Sequence, residues 1–152
     1  MLTRRFLLAT AASLPLGIVL PLLPAFAGKD RYFTHDGAAI GGYDPVAYFT
    51  QMKPVKGDTA HALSWDGAEW HFASAANKAM FEENPEKYAP QYGGYCAYAV
   101  SKGYTAKTEP DAWTVHDGRL YLNYDKSVRR IWERDTSGYI SRANENWPAV
   151  LN

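Results

Sequence analysis

Two stretches built around an Asp-Gly pair, ALSWDGAEWHF (62–72) and AWTVHDGRLYLNY (112–124), constrain the fold of this chain more than any other feature. Asp-Gly flanked by alternating apolar residues favours a two-residue turn, so each stretch predicts an antiparallel hairpin. Such a turn also sets the register. It pairs Leu63 with Trp70 in one hairpin, and Val115 with Leu120 and Trp113 with Leu122 in the other, giving each an apolar face. A third pair, Asp36-Gly37, is a weaker signal of the same kind.

Helix signals fill the spaces between. Asp44-Pro45 reads as an N-cap followed by proline at the first helical position, which predicts a short helix from Val46 to about Thr50. Ser74 caps AANKAMFEEN, with Ala76, Met80 and Phe81 expected inward, and Asn84-Pro85 opens another turn through Tyr88. Asp125 caps KSVRRIWERD, where Val128, Ile131 and Trp132 recur at helical spacing, and a last helix is expected from about Tyr139 to Asn146. Hairpins mixed with short helices predict an α+β domain, a small antiparallel hairpin sheet with helices packed around it.

The N-terminal residues address compartment. Thr3-Arg4-Arg5-Phe6-Leu7-Leu8 places paired arginines ahead of an uncharged run, and Ala25-Phe26-Ala27 ends that run as an A-x-A cleavage pattern. Residues 1–27 therefore read as an export signal. It is either of the twin-arginine type, which passes folded cargo, or an ordinary secretory signal. Pro15, Pro21 and Pro24 argue against a retained membrane helix, because each interrupts the helical ladder. The expectation is a periplasmic protein cleaved after Ala27, with residues 28–152 forming one domain and no stable membrane span. Cleavage removes two arginines from a chain balanced at 16 basic and 16 acidic side chains, which leaves no basic surface for nucleic acid.

Chemistry concentrates in YGGYCAYAVSKGY (92–104), which holds the single cysteine, Cys96. One cysteine excludes an internal disulfide. It leaves a packed core thiol, a metal ligand, or a nucleophile activated by a neighbouring base or cation. The Gly93-Gly94 pair permits a tight turn or a close approach to a ligand. Tyr43, Asp44, Tyr92 and Tyr95 with Cys96 would give a small-ligand cleft polar tips on aromatic walls, although a helix cap alone also explains Asp44. His71 lies on a strand, beside Glu69 or across from Ala62, as a solvated histidine or as a second metal ligand with Cys96. None of His35, His61, His71 and His116 forms a C-x-x-C, H-x-x-x-H or comparable local pair.

GGYDPVAYF (41–49), WHFASAANKAMFEENPEKYAP (70–90) and QYGGYCAYAVSKGY, in that order, resemble the YHS-domain family, specifically its small exported members. The resemblance runs from about Ala39 to Leu151. It implies a YHS-like fold and a metal connection, because metal-binding YHS and related modules carry cysteines at positions matched here by Ala47, Ala73 and Asn77. Those three thiolates are missing, so the family's soft-metal ligand set does not carry over. The expected function is a periplasmic YHS-type binding module holding a metal ion such as copper, a haem-type group, or a small ligand near Cys96. Two alternatives stand beside it: an accessory module that meets another envelope protein, and a cysteine-dependent redox enzyme.

Overall fold

Turn chemistry dictates the strand pairs. The computed structural model describes residues 28–152, and the export-signal reading of residues 1–27 lies outside them. Strands β1 (Thr34–His35) and β2 (Ala38–Ala39), β3 (Asp58–Trp65) and β4 (Ala68–Phe72), and β5 (Trp113–His116) and β6 (Arg119–Leu122) form three separate two-stranded antiparallel sheets. Each is closed by one of the Asp-Gly pairs, and all three aspartates and their glycines take positive φ, as this turn requires. Leu63 faces Trp70, Val115 faces Leu120 and Trp113 faces Leu122, the register the sequence predicts.

The helices are short, and four of the six are capped by a side chain. Helix α1 spans Ala47–Thr50, α2 Ala75–Glu83, α3 Pro85–Tyr88, α4 Ala97–Ser101, α5 Lys126–Trp132 and α6 Thr136–Asn146. Ser74 accepts from the Asn77 amide at 3.1 Å and Asp125 from the Val128 amide at 2.7 Å, so both predicted caps form. Helix α6 starts three residues ahead of the expected Tyr139, because the Asp135 carboxylate accepts from the Gly138 amide and opens the helix earlier. Ala76, expected inward, is exposed, as is Ile131, while Phe81 and Trp132 take the core positions of α2 and α5. Helices this short bury a single large side chain, so helical spacing alone overstates their apolar face.

Aromatic rings carry most of the packing. Trp70, Phe72 and Phe81 are fully buried, with Trp70 to Phe81 at 5.2 Å and Phe72 to Phe81 at 5.1 Å between centroids. This cluster holds the β3-β4 hairpin against α2. A second cluster around Tyr92, Tyr121 and Trp132 joins the third hairpin to α4 and α6, and a third around Tyr48, Leu120 and Leu122 links α1 to β6. The Lys29 amide donates to the Leu151 carbonyl at 2.7 Å, which ties the two ends of the described chain together. Among the described residues no helix is long and apolar enough to cross a membrane.

Candidate functional site

Asp44 lies in the interior with no solvent exposure, and donors from three segments surround its carboxylate. Oδ1 accepts from the amides of Val46 at 2.8 Å and Ala47 at 3.3 Å, as the N-terminal cap of α1. Oδ2 accepts from the Ala73 amide at 2.8 Å and from the Asn77 side-chain amide at 2.7 Å. Ala47, Ala73 and Asn77 are the positions matched to the thiolates of metal-binding modules. All three donate to Asp44, Ala47 and Ala73 through backbone amides and Asn77 through its side chain, so one carboxylate clasps the three positions together. These residues do not suit copper or zinc, because the donors are N–H groups and the carboxylate oxygens are already engaged.

Cys96 and His71, the two candidate metal ligands, have separate partners among the described residues. Cys96 is 1% exposed at the start of α4, where its sulfur accepts from the Tyr124 amide at 3.2 Å and donates to Asn123 Oδ1 at 3.6 Å. Asn123 is itself buried and uses the same oxygen to accept from the Tyr98 amide at 3.1 Å. Burial pushes the Cys96 thiol up, against the pull of neighbouring backbone donors. Among the described residues its hydrogen-bond partners are Asn123 and the Tyr124 amide, neither a base nor a cation, which agrees with the packed reading of this buried thiol. Native protein at neutral pH is expected to react with iodoacetamide at least about a hundredfold more slowly than the denatured chain, because alkylation needs an accessible thiolate. Equal rates in the two states would overturn this placement.

The His71 side chain is only 12% exposed, contrary to the solvated strand position expected of it. Its ring lies against Gly42, where an added Cβ would come within 2.9 Å of Nδ1, and its Nε2 meets Glu69 Oε1 at 2.6 Å. Glycine at position 42, with φ at 75°, is what makes room for the imidazole. Among the described residues no group of three or more His, Cys, Asp or Glu side chains is placed to hold a metal ion.

The five residues proposed to line one cleft are divided among different places. Tyr43 borders a separate hollow of about 380 Å³ with the Lys56 ammonium 5.0 Å from its ring centre, while Asp44 and Cys96 are enclosed in the core. Tyr95 packs near Trp147, at 6.4 Å between ring centres, and its hydroxyl donates to the Asp30 carbonyl at 2.8 Å. Of the five, Tyr92 alone borders an opening of about 690 Å³. Its ring is 6.1 Å from Trp147 and its hydroxyl donates to Asn144 Oδ1 at 2.9 Å. Burial raises the titration of both phenols, so they stay protonated at neutral pH.

That opening is a groove of about 690 Å³ bordered by Trp65, Asp66, Glu86, Tyr92, Arg119 and Trp147. The turn of the second hairpin supplies Asp66, the first residue of β6 is Arg119, and the segment after α3 supplies Tyr92 in a left-handed conformation with φ at 54°. A bulky residue held there marks a backbone that its surroundings over-determine. Gly93 follows, also left-handed, and its carbonyl accepts from the Phe33 amide at 2.8 Å. The sequence pointed to Tyr92 and the diglycine. It missed Trp65, Glu86, Arg119 and Trp147, which come from separate elements and carry no local motif; the hairpin turns were the only signal for two of them.

No curated protein and no solved structure gives a match to the chain. The family model of the YHS domain matches residues 46–92, a span that contains every donor to Asp44 and ends at the Tyr92 edge of the groove. Over those residues, less than a third of the chain, the sequence is similar to the YHS domain.

Proposed function

We propose that the chain is an exported, periplasmic binding module of the YHS type that holds a small polar ligand in the groove beside Tyr92. The ligand sits away from Cys96 and away from any metal. The observation that carries this reading is the groove itself: about 690 Å³, open to solvent, with tryptophan faces and charged side chains drawn from separate elements around a strained tyrosine. The saturation of Asp44 and the burial of Cys96 support placing the ligand there. Export rests on the paired arginines and the A-x-A pattern of residues 1–27.

Trp65 and Trp147 report on occupancy, because both border the groove. Protein recovered from the periplasm and screened against small polar metabolites is expected to give at least one compound that shifts tryptophan emission and raises the melting temperature. Gln91→Trp, which places a bulky ring at the groove wall and removes the side-chain partner of Arg119, is expected to abolish both responses. A screen with no response that this substitution removes would sink the binding role, and recovery of the full chain from the cytoplasm alone would sink export.

A further inference from the structure

Charge within the groove is unevenly satisfied. Arg31 is neutralised by Asp66, with Nε 3.1 Å from Oδ2, and the same carboxylate oxygen accepts from the Tyr32 hydroxyl at 2.8 Å. That trio is closed. Burial and the bond to Asp66 push the Tyr32 phenol up to about 12, so it stays a donor. Two charges are left. Arg119 reaches only the neutral side chain of Gln91, at 3.3 Å, and among the described residues neither Arg119 nor Glu86 belongs to an ion pair.

Glu86 and Arg119 nevertheless share the groove of about 690 Å³, and they also border a smaller hollow of about 420 Å³ that carries a second charge of each sign, Lys87 and Asp117. Opposite charges that border the same groove without forming an ion pair can each take one end of a molecule carrying both complementary charges. A simple anion would meet the Glu86 carboxylate, and a simple cation would meet the Arg119 guanidinium. Only a zwitterion is attracted by both. Arginine adds a planar fork that takes a carboxylate through two parallel hydrogen bonds. The Trp65 and Trp147 rings offer an apolar or aromatic body its contact surface.

We infer that the groove takes a small zwitterion of the amino-acid class, its carboxylate on Arg119, its ammonium on Glu86 and its side chain against the tryptophans. This rests on the groove being the binding site and specifies what enters it. L-phenylalanine, L-phenylalaninamide and N-acetyl-L-phenylalanine are suitable probes in calorimetric titration, since the amide lacks the carboxylate and the acetylated form lacks the ammonium. The parent compound is expected to bind, and each analogue about fivefold more weakly, as for one exposed charge contact.

Arg119→Gln should weaken the parent by the same factor while leaving the amide unchanged. Glu86→Gln should weaken the parent while leaving the acetylated form unchanged. Both side chains are exposed, and the analogues test the same contacts on the unaltered protein. Absence of binding by L-phenylalanine, analogues that bind as tightly as the parent, or penalties that persist in the variants would each overturn the assignment. Should L-phenylalanine fail while a screened metabolite still gives a signal removed by Gln91→Trp, the groove stands and only the ligand class falls.

Discussion

Asp44→Ala is expected to cost about 3 kcal/mol of folding stability or more, since it leaves four donors in the interior without their acceptor. For a domain of this size such a loss lowers the melting temperature by about 10 °C. Asp44→Asn discriminates further. Asparagine keeps one oxygen but turns an NH₂ group toward N–H donors on its other side, so about 2 kcal/mol should still be lost. A pocket-wall aspartate facing solvent would tolerate both changes. Urea denaturation showing less than about 0.5 kcal/mol for Asp44→Asn, the range of ordinary surface substitutions, would refute the clasp.

Gly93→Ala should be comparably damaging for a different reason. A Cβ at this position would overlap the Arg31 carbonyl oxygen and lie 3.2 Å from the Tyr32 Cα, so a backbone segment would have to move. The residue also holds φ at 61°, a conformation that costs an alanine about 1 kcal/mol by itself. Gly118 separates the two effects. It shares the left-handed conformation, at φ 72°, but an added Cβ there meets nothing within 4 Å. Gly118→Ala should therefore cost only about 1 kcal/mol, and Gly93→Ala about 3 kcal/mol. Equal losses would mean that the close approach of the Arg31 backbone to Gly93 carries no energetic weight. Because Arg31 and Gly93 both border the groove, Gly93→Ala is also expected to weaken whatever binds there.

What could be read from the residues in order was the part governed by neighbours in sequence. Asp-Gly turns fixed three hairpins and two registers, and Ser74, Asp125 and Asp44 announced helix starts, because each acts on amides two or three residues away. Asp135 acts in the same way and was overlooked. Cys96 is another matter, since its partners Asn123 and Tyr124 arrive from across the fold and only tertiary packing reveals them. Asp44 shows both sides: its cap of α1 was legible, whereas its bonds to Ala73 and Asn77 were not. The groove was least visible, since Trp65, Glu86, Arg119 and Trp147 share neither a spacing nor a motif.

The bond between Lys29 and Leu151 makes the described polypeptide nearly a closed loop. A short flexible bridge would suffice to join those ends, and fresh termini opened in an exposed turn such as Asp36-Gly37 would leave the groove and the carboxylate clasp intact. Any segment or fusion partner attached at either end emerges from the same patch of surface, so both ends can be tethered or labelled from one side of the molecule.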